Sequence, residues 1–359
     1  MVSLRSGVSA SLIIPSLFGL VHAVPLAEKL GRLSSSARDL LKRTTPAPPH
    51  FLAYNDRWLN PLPSASDLEG FNVFALTFLL SSGAVDEAEN WEEQTASARS
   101  SYLSEYNAAG ISLIVSAFGS TETPTTSGLD PVTTANTMAA WVIEYGIQGI
   151  DVDYEDFTAF DSGNGTAETW LITFTQQLRT QLPQGEYILT HAPVAPWFSP
   201  NLWSGGGYLA VDQSVGYLID WYNIQFYNQG STEYTTCAGL LTTSSSTWPE
   251  SALFQIAANG ASLDKLVIGK PGTTKEAKTG YIDPTTLASC VAEAASEGWD
   301  AGVMVWQYPE ATSSWIETVR GSTWPVSSSP APTVTTTTTA TTATTTATSS
   351  ATSTATLGS

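Results

Sequence analysis

A single (β/α)8 barrel over residues 44–325 is the fold this sequence predicts, and three observations predict it. Eight apolar, β-type runs recur through the segment, several nearly continuous, as parallel strands covered on both faces require. Helical patterns with recognisable start and stop residues separate them. The segment is about 280 residues long and contains no linker-like break. An open, doubly wound sheet is the alternative arrangement of the same elements. A barrel carries one further consequence: its chemistry sits at the C-terminal ends of the strands.

The strands are expected at Phe51–Tyr54, Phe71–Leu79, Ile111–Phe118, Ile147–Tyr154, Tyr187–Ala192, Ile219–Tyr227, Lys265–Ile268 and Gly302–Trp306. Among the intervening helices, Asp130-Pro131 puts a capping carboxylate before a proline at the first helical position. Met138, Trp141, Val142 and Tyr145 then form one apolar stripe, and Gly146 ends it. Asp283-Pro284 repeats that opening, and Gly298 closes the helix it starts. Gly110 and Gly260 mark two more helix ends. The fifth crossover, Phe198–Leu218, has the weakest helical pattern.

The flanks read differently. Residues 1–23 have a basic start at Arg5, a short apolar core from Leu12 to Val21, and Val21-His22-Ala23 as a small-residue cleavage site. Such a segment is a secretory signal, too short to span a bilayer. Residues 24–43 read as a propeptide ending in the dibasic pair Lys42-Arg43. Residues 326–359 are almost wholly Ser, Thr, Ala and Pro, a composition that buries no core and suits an O-glycosylated, disordered tail. The expected product is secreted, to the extracellular space or the cell wall, and monomeric.

Without its first 43 residues the chain carries 8 Lys and Arg against 31 Asp and Glu, a formal charge of −23. That balance argues against nucleic acid and anionic membrane surfaces as partners. Cys237 and Cys290 are the only cysteines, and in an oxidising compartment they are expected to pair. Asn164-Gly165-Thr166 is the single N-glycosylation sequon. With three histidines in the whole chain, a zinc site is not expected, and no cofactor is implied. Most of the 12 Trp and 13 Tyr are core, although aromatic rings also make platforms for flat apolar ligand faces.

The chemistry concentrates in Gly149-Ile150-Asp151-Val152-Asp153-Tyr154-Glu155-Asp156. On a strand, Asp151, Asp153 and Glu155 project from one face, and Ile150, Val152 and Tyr154 from the other. Three like charges on a buried face are costly unless they share protons or hydrogen bonds, so the pattern points to chemistry. The plainer reading is an edge strand with a solvated acidic face. A metal site built on the three alternate carboxylates is a further possibility, but no additional ligand set is evident.

At these residues the chain resembles glycoside hydrolase family 18, whose signature ends the fourth barrel strand as Asp-Gly-x-Asp-x-Asp-x-Glu. Here Gln148 stands in the first position and the remaining seven match. Ile219-Asp220-Trp221-Tyr222-Asn223-Ile224-Gln225-Phe226-Tyr227-Asn228 resembles the sixth-strand segment of the fungal, hevamine-like (plant-type) chitinases, and Gly302-Val303-Met304-Val305-Trp306 resembles their eighth. Ser116-Ala117-Phe118-Gly119 stands where the family has Ser-x-Gly-Gly, with Phe118 breaking the match.

The resemblance implies a retaining endo-chitinase that cleaves chitin or N-acetylglucosamine oligosaccharides with help from the substrate's own acetamide. It casts Glu155 as acid/base, Asp153 as the group orienting the acetamide, Asp151 as its proton-sharing neighbour and Tyr227 as a hydrogen-bond donor to the acetamide oxygen. Gln225 and Asn228 help place the acetamide, and Trp306 stacks under the sugar. Tyr54, Trp197 and Trp221 are candidate platforms, and His191 a candidate contact. Two rival functions share the machinery: an endo-β-N-acetylglucosaminidase acting on the N-glycan core, and a non-catalytic chitin-binding lectin.

Overall fold

The computed structural model describes residues 46–326; the stretches expected to be a signal segment and a propeptide, and the expected tail past residue 326, fall outside the described residues. Eight parallel strands form the sheet: β1 (His50–Asn55), β2 (Val73–Leu80), β3 (Ser112–Gly119), β4 (Gly149–Tyr154), β5 (Ile188–His191), β6 (Trp221–Gln225), β7 (Leu266–Pro271) and β8 (Gly302–Trp306). Strand β1 pairs in parallel with β2 on one side, Leu52 opposite Val73, and with β8 on the other, His50 opposite Gly302. The ring is therefore closed, which rules out the open doubly wound sheet. Gly83–Ala84 adds two residues antiparallel to the end of β2, a pairing the sequence pattern does not reveal.

Ten helices surround the ring among the described residues: α1 (Asp86–Glu93), α2 (Ala96–Ala108), α3 (Pro131–Tyr145), α4 (Phe157–Asp161), α5 (Thr166–Gln181), α6 (Gly207–Val215), α7 (Cys237–Leu241), α8 (Leu253–Ala258), α9 (Pro284–Ser296) and α10 (Ser313–Arg320). The expected caps operate. The Asp130 carboxylate accepts from Thr133 N at 2.7 Å, and Gly146 ends α3 at φ 70°. Asp283 accepts from Thr286 N at 3.0 Å and opens α9. A side-chain acceptor at such a position satisfies an amide the helix cannot.

The fifth crossover is shorter in helix than its span suggested. Ala195–Phe198 is a single 3-10 turn, and α6 begins only at Gly207, after Gly205-Gly206. Gly206 and Gly207 have φ of 91° and 63°, so the chain reverses there before it can wind. Strand residues fill the core almost without exception. Every residue of β1, β3, β4, β5, β6 and β7 is buried.

Cys237 and Cys290 form the expected disulfide, joining α7 to α9 across 53 residues of sequence. Closing a loop of that length restricts the unfolded chain, so replacing both cysteines with alanine is expected to cost about 2–4 kcal/mol, measured by denaturant unfolding.

Candidate active site

Strand β4 orders the site. Gly149 opens it because a Cβ there would lie 2.3 Å from Ile188 O, so only glycine lets β5 approach. Beyond it the pleat alternates as the sequence implied. Val152 and Tyr154 face outward and are fully buried, with Tyr154 packed between Trp170 and Trp197. Asp151 and Asp153 face the barrel interior, and Glu155 follows at the strand's C-terminal end.

Asp151 is completely buried and accepts four hydrogen bonds from four different strands. Tyr54 of β1 donates to Oδ2 at 2.8 Å, and Ser116 of β3 to the same atom at 2.8 Å. Thr190 of β5 donates to Oδ1 at 2.5 Å, and Asn223 of β6 at 3.0 Å. Burial raises its pKa while these four donors pull it down, the first effect being the larger.

Asp153, 5 % exposed, accepts one of these side-chain bonds, from Gln225 Nε2 at 2.8 Å. The same amide nitrogen lies 3.2 Å from Glu155 Oε1 and 2.9 Å from Ala192 O. Gln225 thus joins the two carboxyls. Burial, then the charges of Glu155 and Asp151, lift Asp153 well above the usual carboxylate range. Burial also raises Glu155, against the Gln225 hydrogen bond. Two carboxyls this close titrate as a pair that holds a proton to higher pH than either would alone. Tyr227 is buried beside them and is pushed far above its normal pKa by burial, then by Asp153, Glu155 and Asp151, so it stays a hydroxyl donor.

Three depressions sharing lining residues run across the strand ends as one groove. The middle one, about 320 Å³, is lined by Phe78, Asp153, Glu155, Gln225, Tyr227 and Trp306. Trp306 is half-buried and stacks against Phe78, with ring centroids 5.9 Å apart and planes at 25°. On one side the groove opens into a polar basin of about 760 Å³ bounded by Asp56, Arg57, Lys275, Glu276 and Glu310. On the other side of Glu155 lies an aromatic recess of about 420 Å³, walled by Phe157, Trp197, Trp203 and Trp248. The Trp203 and Trp248 rings stack at 6.4 Å, each fixed by an indole N–H donating to a backbone carbonyl, Pro196 O and Gln229 O.

Four expected contacts take other places. Trp221 is not a platform: it begins β6, at the opposite end of the barrel from the groove, stacked on His50 at 3.8 Å. Its indole N–H donates to Asn223 Oδ1 at 2.9 Å and so fixes the amide that holds Asp151. Tyr54 is also no platform, being 2 % exposed with its hydroxyl committed to Asp151. His191 is fully buried away from the groove, between Thr175 Oγ1 and Tyr208 OH, where burial lowers its pKa to about 3. Trp197 borders the recess but is only 1 % exposed, with a ring face stacked on Phe160 at 4.0 Å. Asn228 does stand at the groove, exposed, with φ 66° and its side-chain oxygen accepting from Lys278 N at 2.8 Å.

The two departures from the signature have physical accounts. Gln148 sits below the site, where its side-chain oxygen accepts from Leu113 N at 2.7 Å; an acceptor is all the position uses, and an amide supplies one. Phe118 adopts φ 76°, a conformation that favours glycine, while its ring packs on Trp170 and Phe174. Next to it, Gly119 carries the constraint in full: a Cβ there would lie 2.7 Å from the Phe78 ring. Sequence reasoning left Asp156, Phe78, Trp203 and Trp248 without roles. Asp156 points away from Glu155, receives Thr126 N and Oγ1 at 2.6 Å each, and pins the loop after β3. Among the described residues, no group of three or more His, Cys, Asp or Glu is placed to hold a metal ion.

With this geometry in place, the chain can be set beside known proteins. No family model and no curated protein sequence matches it. Solved structures do. A GH18 chitinase from Pseudoalteromonas aurantia superposes with a TM-score of 0.63 at 26 % identity, over 75 % of this chain and 98 % of that one. A fungal endo-β-N-acetylglucosaminidase of glycosyl hydrolase family 18 gives 0.55 at 18 % identity, over 76 % and 96 %. A xylanase and α-amylase inhibitor protein from Scadoxus multiflorus gives 0.51 at 17 % identity, over 75 % and 97 %. The latter two likenesses establish the barrel alone.

Gln225 provides a direct handle on the paired carboxyls. Its hydrogen bonds favour their charged forms, so Gln225→Met is expected to raise the carboxyl titration midpoints of Asp153 and Glu155, read by 13C NMR of the labelled side chains. A downward shift would contradict the bonding described.

Proposed function

We propose that this protein is a secreted retaining endo-hydrolase of β-1,4 linkages between N-acetylglucosamine units, acting with the substrate's acetamide as nucleophile. One observation carries the reading: Asp153 and Glu155 share a single amide nitrogen at the floor of a groove open on both sides. Carboxyls that close leave no room for an activated water across a sugar from the acid, as inversion requires. Asp153 is sunk too deep to attack an anomeric carbon, yet it lines the cavity where an acetamide N–H would point. The raised pKa of Glu155 suits a group that must arrive protonated.

In this reading the sugar lies over Trp306. Glu155 gives its proton to the glycosidic oxygen while the acetamide oxygen closes on C1, forming an oxazolinium ion and releasing the leaving sugar. Asp153 accepts the acetamide N–H, and the Tyr227 hydroxyl donates to the acetamide oxygen. Water then attacks C1, the bond from C1 to the acetamide oxygen breaks so that the acetamide re-forms, and the Glu155 carboxylate takes the water's proton. Attack occurs twice at C1, so configuration is retained. The aromatic recess beyond Glu155 seats the leaving chain, whose pyranose faces match indole rings.

A second reading has its own observation. The basin on the Trp306 side is wide and lined by Asp56, Arg57, Lys275, Glu276 and Glu310, a polar wall suited to a branched, hydroxyl-rich glycan. That favours an endo-β-N-acetylglucosaminidase acting on the chitobiose core of N-glycans.

Chitotetraose followed by proton NMR in the first minutes tests both. Fresh β-anomer is expected from the wild type, and about 10²–10⁴-fold slower release from Glu155→Gln. Initial α-anomer would mean inversion and end the mechanism. Inertness toward chitotetraose with release of glycan from a high-mannose glycopeptide would select the second substrate, and chitin binding without either cleavage would make the protein a lectin.

A further inference from the structure

Lys270 of β7 is wholly buried, and its ammonium has no acidic partner in any ion pair among the described residues. Its Nζ instead donates to three backbone carbonyls: Phe226 O at 2.8 Å, Tyr234 O at 2.7 Å and Gly280 O at 2.7 Å. Three acceptors in hydrogen-bond range match the three protons of an ammonium, which holds the charged form against a burial that pulls its pKa well down. An apolar side chain of similar length would fill the space without the desolvation penalty. What it would not do is tie three loop segments to one atom.

Two of the three segments bear on Tyr227. The Phe226 carbonyl and the Tyr227 nitrogen belong to one planar peptide group, so gripping the carbonyl sets the plane from which Tyr227 departs. Gly280, at φ 89°, packs directly on the tyrosine: a Cβ there would lie 2.5 Å from Tyr227 Cα. The same two loops are joined one residue on, where Asn228 N donates to Thr279 O at 3.1 Å and Lys278 N to Asn228 Oδ1 at 2.8 Å. We infer that Lys270 is a positioning residue for Tyr227, fixing from behind the barrel wall where the tyrosine hydroxyl stands over Asp153 and Glu155. This rests on the functional reading above, in which that hydroxyl meets the acetamide oxygen.

The test measures two things in four proteins: wild type, Lys270→Met, Tyr227→Phe and the double variant. Calorimetry with a thiazoline analogue of the oxazolinium intermediate reads the tyrosine hydrogen bond without turnover, and kcat on chitotetraose or the glycopeptide reads it in the reaction. Lys270→Met is expected to weaken analogue binding and lower kcat about tenfold each, with KM changed less than about threefold. In the Tyr227→Phe background the same substitution is expected to change either by less than about twofold. Lys270→Gln, whose amide can still donate to two of the three carbonyls, is expected to show the same dependence on the tyrosine hydroxyl at a smaller size, about threefold, and serves where Lys270→Met does not fold. An equal loss from Lys270→Met with and without the hydroxyl, or no loss at all, would overturn the assignment. Failure of the wild type to bind the analogue would instead strike the functional reading itself, and the assignment with it.

Discussion

Everything at the top of this barrel hangs from the Asp151 carboxylate. It draws one hydroxyl or amide donor from each of β1, β3, β5 and β6 to the barrel axis, and of the four only the Asn223 amide has a second acceptor, Thr190 Oγ1 at 3.4 Å. Hydrogen bonds to a charged acceptor contribute about 1.5–3 kcal/mol apiece, and losing the acceptor would leave the buried hydroxyls of Tyr54, Ser116 and Thr190 unmet. The carboxylate therefore stabilises closure of the ring as well as the chemistry above it. It also fills its own bonding capacity with those donors, which leaves Gln225 to serve the next carboxylate up. Asp153 thus remains under-solvated, close to Glu155, and inclined to hold a proton.

Support for this centre extends downward and outward through residues that touch no ligand. Trp221 anchors the Asn223 amide from below, and His50 stacks on Trp221. Burial lowers the His50 pKa to about 4, so it remains a neutral ring at neutral pH and adds no charge to a floor that could not solvate one. Outward, Tyr154 bonds Thr125 Oγ1 while Asp156 bonds Thr126, so the loop after β3 is held from β4 at two adjacent residues. Alternation along one strand thereby serves two ends: inward side chains build the carboxyl stack, and outward ones fix the loops that wall the groove.

The groove is unequal along its length. Its recess beyond Glu155 is aromatic and rigid, because Trp203 and Trp248 are tethered by their indole N–H groups. Its basin on the Trp306 side is polar and ionic, with Arg57 placed 2.8 Å from Glu310 and 3.5 Å from Glu276. Arg57 is half-exposed, so those pairs are solvent-screened and organise the wall more than they stabilise the fold. Under the proposed function, it is this asymmetry, more than the carboxyl stack, that bears on the choice between the two substrates.

Sequence alone determined the strand count, the helix caps, the disulfide partners and the alternation of Asp151, Asp153 and Glu155, because each depends on near neighbours or on simple counting. The period of a strand fixes which side chains share a face, and a carboxylate before a proline caps a helix wherever the helix packs. Tertiary structure alone decided which aromatic residues face the groove. Trp221 and Trp306 look alike in sequence, yet one lies at the start of its strand and the other at the end, and only barrel closure turns that offset into floor and mouth. Tyr54 likewise reads as a ring and acts as a hydroxyl, since its partner lies 97 residues away on another strand. Phe118 shows the converse: the resemblance marks its position as one for glycine, but only the structure shows that the left-handed turn is kept with a phenylalanine in it.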